Sequence, residues 1–523
     1  MNPTFDLIDQ SWIPCIRKDG STEEVGLQEA LTRAHQLRGV YGESPLVVAA
    51  LHRLLLALLY RAFPPPVDTE GWERLWRRGC FDSAAIESYL ERRRDRFDLF
   101  HPTHPFYQWR GQNAREKNVN DLIFHIASGN NATLFDHHTD EVALALTPGA
   151  ALRSLLVVQA FSSSGTAGMA PKDSSNAPWA DSLLFWGEGS TLFETLLLNL
   201  IPHSYLDGIR TTSKDRPIWE TDSPFEPARD APLGIADYLT WPNRALCLIP
   251  EESNSGLVVR RVLMSPGIRI KDEIVDPYKH YRIDKEKGYR PLKVQEYRSL
   301  WRDSDSLVRL REIENFHPPR TFYWLAELVA DGVLERSQSL RFMALGLAAG
   351  RTDAEPNAAA AKIHFYQETH LPLPAGYLQD DGLVEKLVIA LQQAEAIRSI
   401  VTDSIVRLAT LVLSPTADDP NGRKPDRKDV SNLLTHWAAE RHYWSELEPA
   451  FYDLMIRIPQ HGEDALAQWT NRLLQSARSA FALAERSTPD DARGLRAAVR
   501  AKGQMEGGLK RFVTDSQAKE HTL

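Results

Sequence analysis

Beyond about residue 374 the apolar positions of the chain fall into helical registers. Leu383, Leu387, Leu391, Ala394, Ile397, Val401, Ile405 and Leu408 step by three or four residues and share one helix face. A second series runs through Leu433, Trp437, Trp444, Leu447, Phe451 and Leu454, and a third through Leu466, Trp469, Leu473, Ala477 and Phe481. Thr488-Pro489-Asp490-Asp491 then reads as an N-cap, a first-turn proline and acids facing the positive end of a helix dipole. It opens a fourth helix, to about Phe512. Four helices with short connections bury their stripes by packing antiparallel, so residues 375–523 are expected to form a four-helix bundle.

Residues 1–374 have another texture. Short apolar runs alternate with turn-forming residues, as at Ser223-Pro224, Ile249-Pro250 and Asp276-Pro277. Helical stretches intervene, notably Pro45 to Phe63 and Trp324 to Leu347. The expected fold class is α+β: a large mixed N-terminal domain with long loops, followed by the bundle. Long loops without secondary structure of their own are where function is first sought.

Composition narrows the setting. A chain of 523 residues exceeds one hydrophobic core, and 43% hydrophobic with 25% charged residues is ordinary for a globular protein. The opening MNPTFDLIDQSWIPCI places acids where a secretory signal carries positive charge and has no continuous apolar core. The apolar run from Pro45 to Leu59 is interrupted by His52 and Arg53, so no membrane span is expected. Three distant cysteines, Cys15, Cys80 and Cys247, argue against a disulfide framework or a cysteine zinc site and suit the cytoplasm. The net charge is −9, yet Leu257 to Arg302 holds twelve Lys or Arg against six Asp or Glu. Polyanion binding is therefore expected to be local, and weak and salt-sensitive for the isolated chain.

A family resemblance runs through the chain in order. It begins at Phe5-Asp6-Leu7-Ile8-Asp9-Gln10-Ser11-Trp12-Ile13-Pro14 and continues at His104-Pro105-Phe106-Tyr107-Gln108. Ser128-Gly129-Asn130-Asn131-Ala132-Thr133-Leu134-Phe135-Asp136-His137-His138 follows, then Asp276-Pro277 through Tyr281-Arg282, Pro291-Leu292 and Leu300-Trp301-Arg302. Leu371-Pro372-Leu373-Pro374 and Gly494-Leu495-Arg496 complete the series. Together these resemble the large-subunit (CasA) family of the type I-E CRISPR complex Cascade. The resemblance implies a subunit that surveys double-stranded DNA for a protospacer-adjacent motif (PAM) and helps start strand separation. Its implied partners are the DNA target, the other Cascade subunits with CRISPR RNA, and a separate helicase–nuclease. No cofactor is expected.

Five segments are candidates for DNA contact. Asn130, Asn131, Leu134, Phe135 and Asp136 lie in a loop whose amides and small polar groups suit base edges and phosphates. The resemblance places this loop at the PAM end of the target. Gly165-Thr166-Ala167-Gly168 follows the apolar run Leu155 to Val158, and its glycines permit close backbone approach. By resemblance, Gly165 and Gly168 match the spaced glycines of a loop that approaches the minor groove. The basic stretch offers Arg260, Arg261, Arg269, Lys271, Lys279, Lys285 and Lys287 for phosphates. A family lysine inserts near the PAM in this region, a role open to either Arg269 or Lys271. The family also carries a polar wedge, typically with glutamine, that parts the duplex. Here Asn357-Ala358-Ala359-Ala360-Ala361 stands in its place, so either Asn357 substitutes or the backbone around Ala359 and Ala360 acts sterically. In the last helix Arg493, Arg496 and Arg500 form one stripe, which suits either DNA or a solvated face.

Enzymatic readings find less support. His101 with His104, and His137-His138 near Asp136 and Asp140, suggest a metal-dependent hydrolase as the alternative function. Pro102 and Pro105 disfavour a regular helical ligand pair, and no Gly-Lys-Ser/Thr phosphate loop or glycine-flanked serine nucleophile occurs. The expectation is a protein that binds and does not catalyse.

Overall fold

A computed structural model describes residues 3–63, 65–111, 113–124, 144–163, 175–206, 208–209, 211–225, 228–254, 256–270, 274–295, 298–310, 315–350, 362–417, 419 and 421–520. The chain divides into two compact units, Met1–Glu296 with Ser306–Leu371, and Tyr297–Asp305 with Pro372–Leu523.

The first unit is built around the helix Pro45–Ala62. Pro45 sits in its first turn, where a missing N–H costs nothing, and 14 of its 18 residues are buried. By length and composition alone this helix passes for a membrane span, but 78% of it is buried inside the unit. Burial all round explains the absence of a polar stripe. Arg53 survives there because its guanidinium lies 4.5 Å from the Trp179 ring centroid and 5.1 Å from that of Tyr238, and donates to the Tyr238 carbonyl. A second buried helix, Pro148–Phe161, starts where Thr147 Oγ1 accepts from Ala150 N at 3.3 Å and ends against Ser162.

Among the described residues the strands form four three-stranded sheets. Two matter for function. In one, the hairpin Arg244–Ser253 and Gly256–Pro266 is flanked by Arg115–Asn118. Its register shifts at Ile249/Pro250, where proline offers the ladder no N–H, and Gly256 turns the chain at φ +102°. In the other, Ser339–Gly350 lies between Leu183–Glu188 and Lys362–Pro374.

That central strand corrects the helical reading of Trp324 to Leu347. The helix Arg320–Ala330 stops at Asp331, Gly332 turns the chain at φ +73°, and Ser339–Gly350 is extended. Phe342 to Leu347 are buried without interruption, as expected of a strand covered on both faces. Such a run has the same appearance in sequence as a buried helix.

In the second unit, Asp381–Leu413 buries Leu387, Leu391, Ala394, Ile397, Val401, Ile405 and Leu408, the face expected from periodicity. The second apolar series is not one helix. It is cut at Ala438, a left-handed residue at φ 50°, into Arg427–Trp437 and the start of Ala439–Arg486. That last span is itself two helices, because His461 leaves helical geometry. The Tyr443 hydroxyl donates to Ala394 O at 2.8 Å and Arg398 pairs with Glu440 at 3.5 Å, so numbering rises along one helix as it falls along the other. His442 meets Ser479, and Arg457 meets Asp464, so the chain reverses at His461. Arg478 pairs with Glu506 at 2.9 Å, and Arg407 with Gln504 at 2.8 Å, which places Ala492–Glu520 as the fourth antiparallel member.

The second unit also takes in residues from upstream of the C-terminal run, and Trp301 is central among them. Trp301 is fully buried, 4.5 Å from Phe451 and 5.5 Å from Trp444 by ring centroids. Its neighbour Arg302 lies 3.7 Å over the Trp444 ring and pairs with Glu395 at 2.5 Å.

Candidate nucleic-acid interface

Most of the proposed DNA-contacting residues lie outside the described residues: Asn130, Asn131, Leu134, Phe135, Asp136, Gly165, Thr166, Ala167, Gly168, Lys271, Asn357, Ala359 and Ala360. Their roots are described, and the first unit gathers them in two places.

The first is a corner formed by Pro242-Asn243-Arg244, where the long hairpin begins. Segment 164–174 leaves from Ser163 and returns at Ser175. Arg244 Nη2 donates to Ser163 O at 2.8 Å and Nη1 to Ser175 O at 3.0 Å, so one guanidinium spans both ends. Asn243 repeats the bridge with its amide. Its Oδ1 accepts from Ser162 Oγ at 3.2 Å, and its Nδ2 donates to Asn176 O at 3.1 Å. Ala177 N donates to Ser162 O at 2.7 Å, closing the two stems on each other.

The other end of the hairpin returns to the same corner. Gly267 N donates to Asn243 O at 3.1 Å and Ile268 N to Pro242 O at 2.9 Å. A Cβ on Gly267 would stand 2.2 Å from Pro242 O, so only glycine permits this approach. Arg269 follows at once and is exposed. Two candidates more than a hundred residues apart in sequence thus emerge from one corner.

Arg244 itself has 0% of its surface exposed. Burial pushes its guanidinium down to about 10, which still leaves it cationic at neutral pH. Gln159 fixes its backbone, accepting from Arg244 N at 3.0 Å and donating to Arg244 O at 2.8 Å.

The second meeting place is a groove lined in part by Glu43, Val47, Phe124, Leu146, Leu347 and Tyr366. Phe124 is the last described residue before 125–143, while Leu347 and Tyr366 stand on the strands flanking 351–361. On the return side, Leu144 N donates to Asn120 Oδ1 at 3.0 Å, and Leu146 exchanges backbone bonds of 3.0 and 2.8 Å with Val259 of the hairpin.

The basic stretch separates into distinct environments. Arg261 pairs with Glu116 at 2.7 Å and Glu251 at 2.9 Å, and Arg260 pairs with Glu251 at 3.3 Å. Hydrogen bonding from Arg261, with Arg260 adding to it, holds the Glu251 carboxyl below its usual range. These two arginines are therefore matched by protein carboxylates. Lys279 is not a surface cation: it is buried, its ammonium donates to Pro178 O, and desolvation lowers its pKa. Arg269, Lys285 and Lys287 are exposed, as are Arg493, Arg496 and Arg500 on the last bundle helix.

The histidine-rich alternative gains nothing from His101 and His104. Their rings stack at 5.8 Å, and His101 Nδ1 accepts from His104 N at 3.0 Å, which makes it a turn cap. His137 and His138 lie outside the described residues. Among the described residues no three His, Cys, Asp or Glu side chains gather to hold a metal ion.

Sequence reasoning missed Asn243, Arg244 and Gln159, because the stems they bridge are remote in sequence. Gly267 carried a signal: a glycine directly after a strand often marks close backbone approach.

Comparison with known proteins assigns the family. The model of the CRISPR-associated protein Cse1 family matches residues 6–480. The CRISPR-associated protein CasA/Cse1 of Thermus thermophilus is 35% identical over 524 residues, covering 96% of each chain. The chain belongs to the Cse1 (CasA) family. Its fold is shared with Cse1 from Acidimicrobium ferrooxidans at a TM-score of 0.80 and 24% identity, covering 98% of this chain and 99% of that one. A chain of a CRISPR RNA-guided surveillance complex shares it at 0.73 and 22% identity, covering 96% and 99%. The mixed α+β fold with a C-terminal helical bundle is thus the fold of its Cse1 relatives.

Proposed function

We propose that this Cse1-family chain is the large subunit of a type I-E CRISPR RNA-guided surveillance complex, a cytoplasmic, non-catalytic component. In this reading the first unit recognises the PAM in double-stranded DNA and helps start strand separation, and the protein recruits the helicase–nuclease. The other Cascade subunits carry the CRISPR RNA. The observation that carries the proposal is the Pro242–Arg244 corner. It brings the roots of the glycine segment and the exposed cation Arg269 to one place at the base of the long hairpin. A close-approach backbone beside a phosphate-binding cation is what minor-groove reading requires. The minor groove has a degenerate donor and acceptor code, so tolerance of several related motifs follows. Family membership and the shared fold with a surveillance-complex chain support the same reading.

The test is duplex binding by the reconstituted complex, comparing a PAM-containing with a PAM-scrambled duplex. The wild type should prefer the former by at least roughly tenfold, the low end of what one wrong base pair costs. Gly165→Leu with Gly168→Leu should abolish that preference. Arg269→Ala should weaken both duplexes and reduce the salt slope by about 1. A folded double-leucine variant that discriminates like wild type refutes the assignment.

A further inference from the structure

We infer that the groove at the start of the helix Pro45–Ala62 is a base-binding site, which takes one unpaired nucleobase out of the opened duplex. The inference rests on the reading that the first unit helps part the strands, and it names where a parted base goes.

The argument begins with a polar group that the fold leaves unused. Ser44 occupies the N-cap position of that helix and is only 7% exposed, yet its side chain makes no capping bond. Among the described residues its hydroxyl has no hydrogen-bond partner. A buried hydroxyl left in this way costs free energy until something bonds it. Pro45 has no N–H to offer, and the Ser44 carbonyl takes Val47 N at 3.0 Å and Val48 N at 3.4 Å. The Leu46 N–H between them finds no acceptor among the described residues. Ser44 and Leu46 both line the groove, so a hydroxyl and a free N–H donor stand together at one end of it.

The walls are of another kind. Val47 and Val157 are buried, Ile123, Phe124 and Leu146 are half-buried, and the Tyr366 ring is 40% exposed. The groove holds about 610 Å³, part of it open to solvent, which is the usual size of a small-ligand site and ample for one base. No Lys, Arg or His is among the described residues that line it, and the Glu43 carboxylate at its edge is held by Arg153 at 2.5 Å. The site therefore suits a neutral ring, not a phosphate, a carboxylate or an ammonium. A nucleobase is flat and uncharged, and its edge sets acceptors beside donors. It uses the hydroxyl and the N–H together, where an aromatic side chain from a partner has at most one polar group to offer. Aromatic walls stack any base, so capture needs no particular sequence. A base leaving the duplex gives up stacking and pairing, and a pocket that supplies substitutes for both favours the opened state.

The test uses the full-length protein in the reconstituted complex, with a PAM-containing duplex that carries 5-iodouracil at each position in turn beside the motif. Irradiation should crosslink one of these positions to Phe124 or Tyr366. With 2-aminopurine at that position, fluorescence follows the rate of opening. Ser44→Val removes the hydroxyl at constant size, Tyr366→Leu removes the ring, and Ser154→Leu fills the groove from the helix Pro148–Phe161. Each variant should lower the crosslink yield and the opening rate roughly tenfold, within the range for losing one base stack. PAM preference in binding should stay within twofold of wild type. A wild type that opens the duplex without such a crosslink overturns the inference, as does a folded Ser154→Leu protein that opens it at the wild-type rate. Failure of Ser154→Leu to join the other subunits, with thermal melting unchanged, makes the groove a subunit contact and also overturns it. Should Ser154→Leu fail to fold, Ser44→Val decides alone. A wild type that neither prefers the motif nor opens the duplex refutes the proposed function itself, and these two readings tell that failure apart.

Discussion

Three buried basic side chains of the first unit show how one desolvation cost is met in three ways. Arg53 lies between two aromatic faces, Arg244 donates to loop carbonyls, and His52 gives up its proton. Burial pushes the His52 imidazole down to about 4. In the unfolded chain it titrates near 6.5, so between these values only the unfolded state takes up the proton. The stability linked to His52 is therefore complete above pH 6.5 and falls as pH drops toward 4, by about 3 kcal/mol at the lower end. His52→Met should flatten the dependence of the denaturation midpoint on pH between 6.5 and 4, leaving stability at pH 8 to packing alone. An unchanged acid slope would assign the acid sensitivity elsewhere. Neither His52 nor Arg53 was legible as a core residue in sequence, where both read as interruptions of an apolar run. The aromatic faces of Trp179 and Tyr238 and the Tyr238 carbonyl, all distant in the chain, make Arg53 tolerable there.

At the scale of elements, apolar periodicity identified the faces of the bundle helices but not all their ends. Periodicity reports which positions share a face, whereas ends depend on single-residue backbone geometry, such as Ala438 at φ 50° and the break at His461. The cap of the last helix shows the same limit. Thr488 does not cap it, for its hydroxyl donates back to Glu485 O at 2.7 Å. Asp491 does, accepting from Arg493 N and Gly494 N, both at 2.8 Å, and these bonds hold its carboxyl below the usual range. Asp491→Ala should cost about 1 kcal/mol in urea denaturation, the usual value of an N-cap, and Thr488→Ala less than half of that. The strand Ser339–Gly350 failed for the opposite reason. A segment buried on both faces has no periodicity to read, so its pairing with Leu183–Glu188 had to decide it.

At the scale of the molecule, the second unit is not a contiguous stretch of chain. Trp301 enters it from Tyr297–Asp305, far upstream of Pro372–Leu523, and packs against Trp444, Phe451 and Trp469. Trp301→Ala should cost about 3–5 kcal/mol, the range for deleting a buried aromatic, and should speed hydrogen exchange in the bundle helices. A fragment of residues 372–523 should be poorly ordered and regain helicity on adding the peptide 297–305. A fragment as stable without the peptide would show the tryptophan to be dispensable. The sequence by itself determined the α+β class, the helical faces of the bundle and the family resemblance, because each is written in local periodicity or in ordered motifs. Only the tertiary structure decided that Lys279 is buried, that Trp301 completes the bundle core, and that the roots of the glycine segment and Arg269 share one corner. Those are contacts between residues remote in sequence, and no local pattern encodes which distant carbonyl a buried guanidinium will find.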